Sequence, residues 1–397
     1  MKKIELIAGT LGILTILAAV FYYQIFEVVK AVEDPVVIEE EGELRGYEEP
    51  VEAVSYLMAN IKKGDLEPAL RVCAIEDISE YADLVEYLSY TEDFQGAKMI
   101  PMVDSKVYYE ITKIRLASDY GHMIQKCIKR LSQDKTLEIK DISIIEPENP
   151  DGKYFQRLEQ ISNILGARDV CECTVSMEVN GKPVELHLSL AKYKRFWKVI
   201  LFAPMEQYKN EEPDIRAVDG REETEEDTFM DLSSYLEDQL PLNYTLLNSR
   251  SGDSATEMLS DCWIYFQRGD ILSALTYFDL GTGEQGPEFS LDFLDRQKKA
   301  AMQLQDFYYQ MLLCRADLEW AKRHYEDTPE YIWNFLKIRN MQYVRVRSLE
   351  EVESEDGYIT YLIKYSYDGK GFSRHLLLSN DNGWKLAAMK KPPKQKK

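Results

Sequence analysis

The chain has 397 residues, 45% of them hydrophobic, which is enough to form two or three domains with buried cores. Its 48 basic and 69 acidic residues give a formal net charge of -21 at pH 7. A surface this acidic repels phosphate backbones, so the composition excludes nucleic acid as an expected partner.

An apolar segment follows the first three residues. Residues 1–26 begin Met1-Lys2-Lys3 and continue with IELIAGTLGILTILAAVFYYQIF, a run about long enough to cross a bilayer. The run exceeds the usual hydrophobic region of a cleaved signal peptide and has no well placed small-x-small cleavage pair. Because Lys2 and Lys3 should stay in the cytoplasm, the sequence predicts an uncleaved single-pass anchor in the cell membrane, with the C-terminal domains outside.

Acidic segments separate the parts of the chain with apolar periodicity. Residues 27–48 are predicted to be an acidic spacer. Residues 205–252 are acidic and interrupted by Pro and Gly, so they are predicted to be a linker with one short helix near 228–240. The predicted domains are 49–204 and 253–391, and a basic tail follows at 392–397.

The two predicted domains begin with similar sequences. EAVSYLMANIKKGDLEPAL, which starts at Glu52, aligns without gaps with EMLSDCWIYFQRGDILSAL, which starts at Glu257. In both segments apolar residues at helical spacing form one stripe. Gly64 and Gly269 are predicted to end these helices. We interpret the two segments as copies of one ancestral helix.

Both copies continue with a helical pattern and end in strand-like runs. The helical patterns cover 104–133 and 289–340. The strand-like runs are 136–145, 171–179 and 183–202 in the first copy, and 341–349, 357–367 and 371–389 in the second. Helices followed by an antiparallel meander are typical of an α+β fold.

This order of elements resembles the nuclear transport factor 2-like superfamily, also called SnoaL-like or cystatin-like. The resemblance is carried by the helix that ends in Gly-Asp before Ala-Leu, and by FWKV at 196–199 and GWKL at 383–386. Within this superfamily, the chain most resembles short extracytoplasmic members from Gram-positive bacteria. The resemblance implies two tandem cone-shaped domains, each with helices packed on a curved antiparallel sheet around a cavity, behind one N-terminal transmembrane helix. Such cavities serve enzymes, small-molecule binders and scaffolds alike, so the fold does not choose a function.

A histidine occupies the same place in two similar hairpins. Asn-Gly at 180–181 and Asp-Gly at 368–369 predict two-residue type I′ turns. Such a turn places His187 opposite Thr174, on the face away from the apolar residues. His375 has the equivalent position in the second hairpin. We interpret both histidines as outer-face residues inherited by duplication, rather than as catalytic or ligand-binding groups.

The second hairpin differs from the first on its apolar face. Arg374 stands where the first copy has Leu186, and Tyr361, Tyr365 and Tyr367 share its face. Because a partly desolvated guanidinium needs a partner, these four residues are the candidate binding site for an anionic or aromatic small molecule. The alternative is that Arg374 lies near the sheet edge and extends to solvent, with its stem packed on Tyr365.

No motif in the sequence indicates catalysis, a cofactor or a metal. GxxxxGK[ST], GxSxG and HExxH are absent, and the chain has only four histidines. Cys171 and Cys173 share one side of a strand without a nearby histidine, which favours core packing over metal binding. An exported chain can pair its six cysteines, but their spacing defines no disulfide framework.

These observations support two main functional hypotheses. The first is a membrane-anchored extracytoplasmic binding or scaffold protein, whose partner is a protein of the cell envelope. The second is a small-molecule sensor or carrier that uses the cavity of the second domain, and an enzyme is less favoured than either. A closed cavity around Arg374 would favour the second hypothesis, whereas an interior filled with side chains and an exposed apolar patch would favour the first.

Overall fold

The computed structural model describes the parts of the chain that form the predicted domains and part of the segment between them. The described residues are 46–82, 105–145, 158, 161–205, 212–218, 229–281, 289–315, 345–367 and 370–391. They belong to one compact unit, Glu43–Lys397. None of the described helices is long and apolar enough to cross a membrane. The predicted anchor at 1–26, nearly all of the spacer at 27–48 and the tail at 392–397 lie outside the described residues.

The first half of the fold begins with helices. They are α1 (Pro50–Lys63), α2 (Leu66–Leu70), α3 (Ile75–Tyr81) and α4 (Ser105–Cys127), and α4 continues into a π-helical turn, Ile128–Ser132. Pro50 opens α1, where its missing N–H costs no hydrogen bond. Gly64 ends α1 in the left-handed region with φ 84°, as predicted.

A curved antiparallel sheet follows these helices. Its strands are β1 (Leu137–Ile145), β2 (Asp169–Val179), β3 (Lys182–Tyr193), β4 (Phe196–Leu201) and β5 (Ile215–Ala217). The strand order is β1-β2-β3-β4, and β5 also pairs with β3. The predicted hairpin register is confirmed, because Thr174 pairs with His187 and both Asn180 and Gly181 have positive φ.

The second half repeats this order of elements. Its helices are α5 (Ala255–Arg268), α6 (Ile271–Leu275) and α7 (Leu291–Arg315), and its strands are β6 (Arg345–Glu355), β7 (Tyr358–Tyr367), β8 (Lys370–Asn380) and β9 (Trp384–Lys390). The sheet order is β6-β7-β8-β9. Ser254 caps α5 by accepting from the Glu257 N–H, and Gly269 ends it with φ 69°. The later part of the helical pattern at 289–340 lies outside the described residues.

The same backbone contact joins helices to sheet in both halves. In the first half the Val199 N–H donates to the Val72 carbonyl, and in the second the Leu386 N–H donates to the Tyr277 carbonyl. Both sheets also have a bulge at the equivalent point between their last two long strands. The chain is therefore an α+β protein in which helices precede each of two antiparallel sheets.

Part of the segment assigned to a linker is built into the fold. The Asn243 side-chain amide donates to the carbonyls of Leu70, Arg71 and Cys73. The Ser249 hydroxyl donates to the Phe278 carbonyl at 3.0 Å. Residues 243–249 therefore hold equivalent loops of the two halves.

Apolar side chains of the same segment are buried. Leu232, Leu240, Tyr244 and Leu247 are each less than one tenth exposed. The segment is acidic and interrupted by Pro and Gly, which is why the sequence indicated a linker instead of a packed segment. Near 228–240 the structure has a single 3₁₀ turn, Ser233–Leu236, instead of the expected helix.

The two halves also touch through their long helices. The Asp295 carboxylate of α7 accepts from the Ser118 hydroxyl of α4 at 2.8 Å and lies 2.8 Å from His122 Nε2. At Gly121 the helices are so close that a Cβ atom there would stand 3.0 Å from a methyl group of Leu294. A small residue and a polar cluster therefore support this helix contact.

Candidate functional site

The candidate site lies on one face of the second sheet, in the register predicted from its turn. Tyr361 pairs with Leu376, Ile363 with Arg374, and Tyr365 with Phe372. Directly opposed residues of antiparallel strands point to the same face. The structure therefore brings Arg374, Tyr361 and Tyr365 together on the face that helices α5 and α7 cover.

Arg374 is buried and has a partner within the chain. Its residue exposure is 2%, and its Nη2 lies 3.2 Å from Asp306 Oδ2 on α7 and 3.4 Å from the Asp306 carbonyl oxygen. Lys391 Nζ approaches the other oxygen of this carboxylate at 2.8 Å. The guanidinium does not extend into solvent, so the alternative interpretation of Arg374 as a snorkelling residue is wrong. A buried charge requires an opposite charge nearby, and Asp306 supplies it.

Aromatic rings fill the space beside Arg374. The ring centroid of Tyr365 lies 5.7 Å from that of Trp263, 5.5 Å from Phe307 and 5.5 Å from Phe372. Trp263 and Phe307 are themselves 5.7 Å apart in an edge-to-face arrangement. We call Trp263, Phe266, Phe307, Tyr365 and Phe372 the aromatic core. Edge-to-face, tilted and stacked rings at these distances pack closely against one another.

The other two tyrosines of the candidate site lie at different ends of β7. Tyr361 is buried, and its pKa is raised by that burial and by the nearby Glu351 carboxylate. Tyr367 is the last residue of β7 and pairs with Lys370, but its side chain lies outside the described residues. Of the two predicted tyrosines whose side chains the structure describes, Tyr365 is the one in the aromatic core beside Arg374.

Asp306 is the site residue that the sequence did not reveal. It is one of 69 acidic residues and lies on α7, far from Arg374 in the sequence. Its neighbour Phe307 is fully packed, whereas Asp306 itself is half-exposed, so helical periodicity places it outside the buried stripe. Only the packing of α7 on β8 shows that its carboxylate meets a buried base.

The first half has its own buried base in the sheet. Lys198, from the FWKV signature on β4, is buried, and burial lowers the pKa of its ammonium group, opposed chiefly by the charge of Asp77. Burial raises the pKa of the Asp77 carboxyl on α3, opposed chiefly by Lys198. In both halves an acid on a helix thus offsets a buried base in the sheet.

The structure also places the histidine and cysteines that were considered from the sequence. His187 lies on the outer face of its sheet, with Nε2 3.9 Å from Glu185. Cys171 and Cys173 are free thiols, as are Cys73, Cys127 and Cys262. Within the described residues no group of three His, Cys, Asp or Glu side chains is arranged to hold a metal ion.

Comparison with known proteins supports the fold. A crystal structure of a cystatin-like protein from Ruminococcus gnavus is similar over 86% of this chain and 92% of that chain, with a TM-score of 0.68 and 21% sequence identity. The fold is cystatin-like. Because the matched share of the chain exceeds either half, the similarity extends over both sheets. It concerns the fold alone. No protein-family model and no curated protein matches the sequence.

Proposed function

We propose that this chain is a membrane-anchored extracytoplasmic scaffold or binding protein, which acts through protein–protein contacts in the cell envelope. The observation that carries the proposal is the packing around Arg374 in the second half. The base that made this face a candidate ligand site is neutralised by Asp306, and the aromatic core packs beside it. An interior of this kind stabilises a shape instead of holding a small molecule.

The anchor and the domain arrangement are parts of the same proposal. The apolar segment within residues 1–26 has the length and the preceding lysines of a single-pass anchor with a cytoplasmic N-terminus. Two tandem domains, 49–204 and 253–391, would then stand outside the membrane. The contact between α4 and α7 supports a scaffold in which the two domains move together.

The first test concerns location. We expect a reporter fused after Lys397 to be active only outside the cytoplasm and the chain to remain with membranes after alkaline extraction. Leu14→Arg combined with Leu17→Arg places two charges in the apolar segment and should release the chain. The matched control, Leu14→Ala with Leu17→Ala, keeps the segment uncharged and should remain anchored. Cytoplasmic reporter activity would overturn the topology.

The second test concerns partners. Crosslinking intact cells with a membrane-impermeant, lysine-reactive reagent should capture the chain in complexes with envelope proteins. The released variant carries the same lysines and should lose those complexes. If anchored and released chains give the same products, or none, the scaffold proposal fails.

A ligand function remains as a second candidate because one buried donor is unsatisfied. Trp263 Nε1, in the aromatic core, has no hydrogen-bond partner among the described residues. A small aromatic carboxylate could accept from it. Benzoate should then raise the melting temperature of the natural chain and not that of Trp263→Phe. Equal responses of the two chains would exclude this candidate.

A further inference from the structure

The outer strand of the second sheet differs from its counterpart in the first. β1 and β6 are edge strands, and each has a bulge at the same place relative to the next strand, after Ile139 and after Val346. In this alignment Val346 corresponds to Ile139 and Leu349 to Ile142. Ile139 and Ile142 are 0% and 6% exposed, whereas Val346 and Leu349 are 44% and 38% exposed.

The chain itself covers the edge of the first sheet. The Met230 N–H donates to the Ile139 carbonyl at 2.8 Å, and Phe229 lies beside Lys140 in the next position. The fold therefore accepts an additional backbone segment at this point of its edge strand. No strand of the described residues pairs with the outer side of β6. An exposed edge strand can pair with another strand where the facing side chains are complementary.

The sequence of β6 is complementary to itself in the antiparallel direction. Residues 345–353 read RVRSLEEVE. When two copies are placed antiparallel around Leu349, each Arg345 faces a Glu353, each Arg347 faces a Glu351, and the two Leu349 side chains meet. Val346 then faces Val352, which is 48% exposed. Opposite charges and apolar pairs at facing positions stabilise strand pairing, and like charges disfavour it.

We propose that β6 is an interaction surface for a second copy of this chain, paired antiparallel with its partner around Leu349. The bulges near Arg347 and Val352 lie within the paired segment, so few regular backbone hydrogen bonds join the two copies. One short strand pair buries far less surface than a standard interface of about 1,600 Å², so the association is weak and concentration-dependent. This interface depends neither on the membrane anchor nor on the filled interior.

Cysteine crosslinking of the full-length chain in detergent tests the pairing. Facing residues of antiparallel strands have Cα atoms about 4.5–5.5 Å apart, which suits a disulfide. Under copper–phenanthroline oxidation, Leu349→Cys should form a covalent dimer. The matched control is Ser143→Cys, an exposed position of β1 that pairs with Thr174, and it should remain monomeric like the natural chain. Equal dimer yields for the two variants would overturn the proposal.

The register has its own test. Differently tagged Val346→Cys and Val352→Cys chains, when mixed, should crosslink with each other, and neither should crosslink with itself. Self-crosslinking of either variant at the yield of the mixture would show a different register and overturn the pairing proposed for β6.

Exchanging the charges of Arg345 and Glu353 distinguishes pairing between two copies of this chain from pairing with another protein. Arg345→Glu and Glu353→Arg should each reduce the Leu349→Cys dimer yield by about tenfold or more, because like charges then face each other. The two changes together should restore the yield, since opposite charges again face each other at both ends of the strand pair. Both residues are exposed, so unchanged melting temperatures should accompany these results. Failure of the double variant to recover, crosslinks to a different protein alone, or no effect of the single changes would each refute self-pairing.

Discussion

The two halves of this protein show how one arrangement of helices and strands accommodates different interiors. At the equivalent central positions of the two hairpins the first half has Leu186, which pairs with Val175, and the second has Arg374, which pairs with Ile363. Both positions are almost fully buried. The second half tolerates a charge there because α7 supplies Asp306. A buried base must therefore be interpreted together with the helix that packs on it, not from its strand alone.

Replacing Leu186 of the first half with the arginine of the second should cause the greatest loss of stability. Leu186→Arg buries a guanidinium at a position that is fully buried and pairs with Val175, and it should destabilise the first half by about 3–5 kcal/mol. Urea unfolding would measure the loss, and hydrogen exchange should increase in β2 and β3 more than in β7 and β8. Leu186→Met is the matched control and should cost less than about 1.5 kcal/mol. A stable Leu186→Arg variant would show that the first half can also neutralise a base there.

Substitutions of Asp306 and Arg374 should change the stability of the second half by different amounts. Asp306→Asn removes the carboxylate that Arg374 contacts at 3.2 Å and should cost about 2–4 kcal/mol. Arg374→Leu restores the residue type of the first half and should change the free energy of unfolding by about 1 kcal/mol or less, because Asp306 keeps Lys391 and solvent as partners.

A double-mutant cycle checks that interpretation. If Asp306 acts mainly by compensating Arg374, Asp306→Asn should cost far less in an Arg374→Leu background than alone. Equal costs in the two backgrounds would mean that Asp306 stabilises α7 for another reason, such as its contact with Lys391.

The sequence predicted the fold better than the site, and the reason is physical. Turn chemistry at Asn180-Gly181 sets strand register, so one local signal places every residue of the hairpin, including His187 opposite Thr174. The partner of Arg374 depends instead on how α7 lies on β8, a long-range contact that leaves no periodic trace. Asn243 was missed for the same reason, since a single amide within an acidic segment has no pattern that indicates three buried carbonyl partners.

A pH-dependent effect should be common to both halves. Burial raises the pKa of the Cys127 thiol on α4 from 9.0 to about 12, and it raises the pKa of the Cys262 thiol on α5 well above its ordinary value. Between pH 9 and 12 the unfolded Cys127 loses its proton while the folded one keeps it, so stability falls as pH rises. The Cys127 contribution should fall by about 1.4 kcal/mol per pH unit.

Alanine substitutions would isolate the contribution of each thiol. The decline in stability between pH 9 and 10.5 should be about 1.6 kcal/mol smaller in Cys127→Ala than in the natural chain, and Cys262→Ala should show a reduction of the same sign. Urea unfolding at several pH values would measure it. A Cys127→Ala chain with an unchanged slope would show that this thiol ionises alike in the folded and unfolded states.

Substitutions in the segment between the halves should have smaller effects on stability. Asn243→Ala leaves the carbonyls of Leu70, Arg71 and Cys73 without that donor and should cost about 1–3 kcal/mol. Ser249→Ala removes one donated and one accepted hydrogen bond at the equivalent loop, Phe278 and Leu280, and should cost about 1 kcal/mol. Calorimetry of the two variants would rank them. If Ser249→Ala were the more damaging, the segment would stabilise the second half more than the first.

The smallest effect is expected at the residue that the two hairpins share. His187 and His375 occupy equivalent places on the outer faces of their sheets, and each remains partly exposed. His187 has an acidic neighbour at a long 3.9 Å, an arrangement that contributes little to stability. Replacing either histidine with Gln should therefore change the free energy of unfolding by less than about 1 kcal/mol and leave envelope crosslinks unchanged. A selective loss of crosslinks in His187→Gln would instead place a partner on the outer face of the first sheet. In that case the histidine shared by the two hairpins would have a function. We expect instead that substitutions at Leu186 and Arg374, where the hairpins differ, change the free energy of unfolding more than substitutions of the histidines.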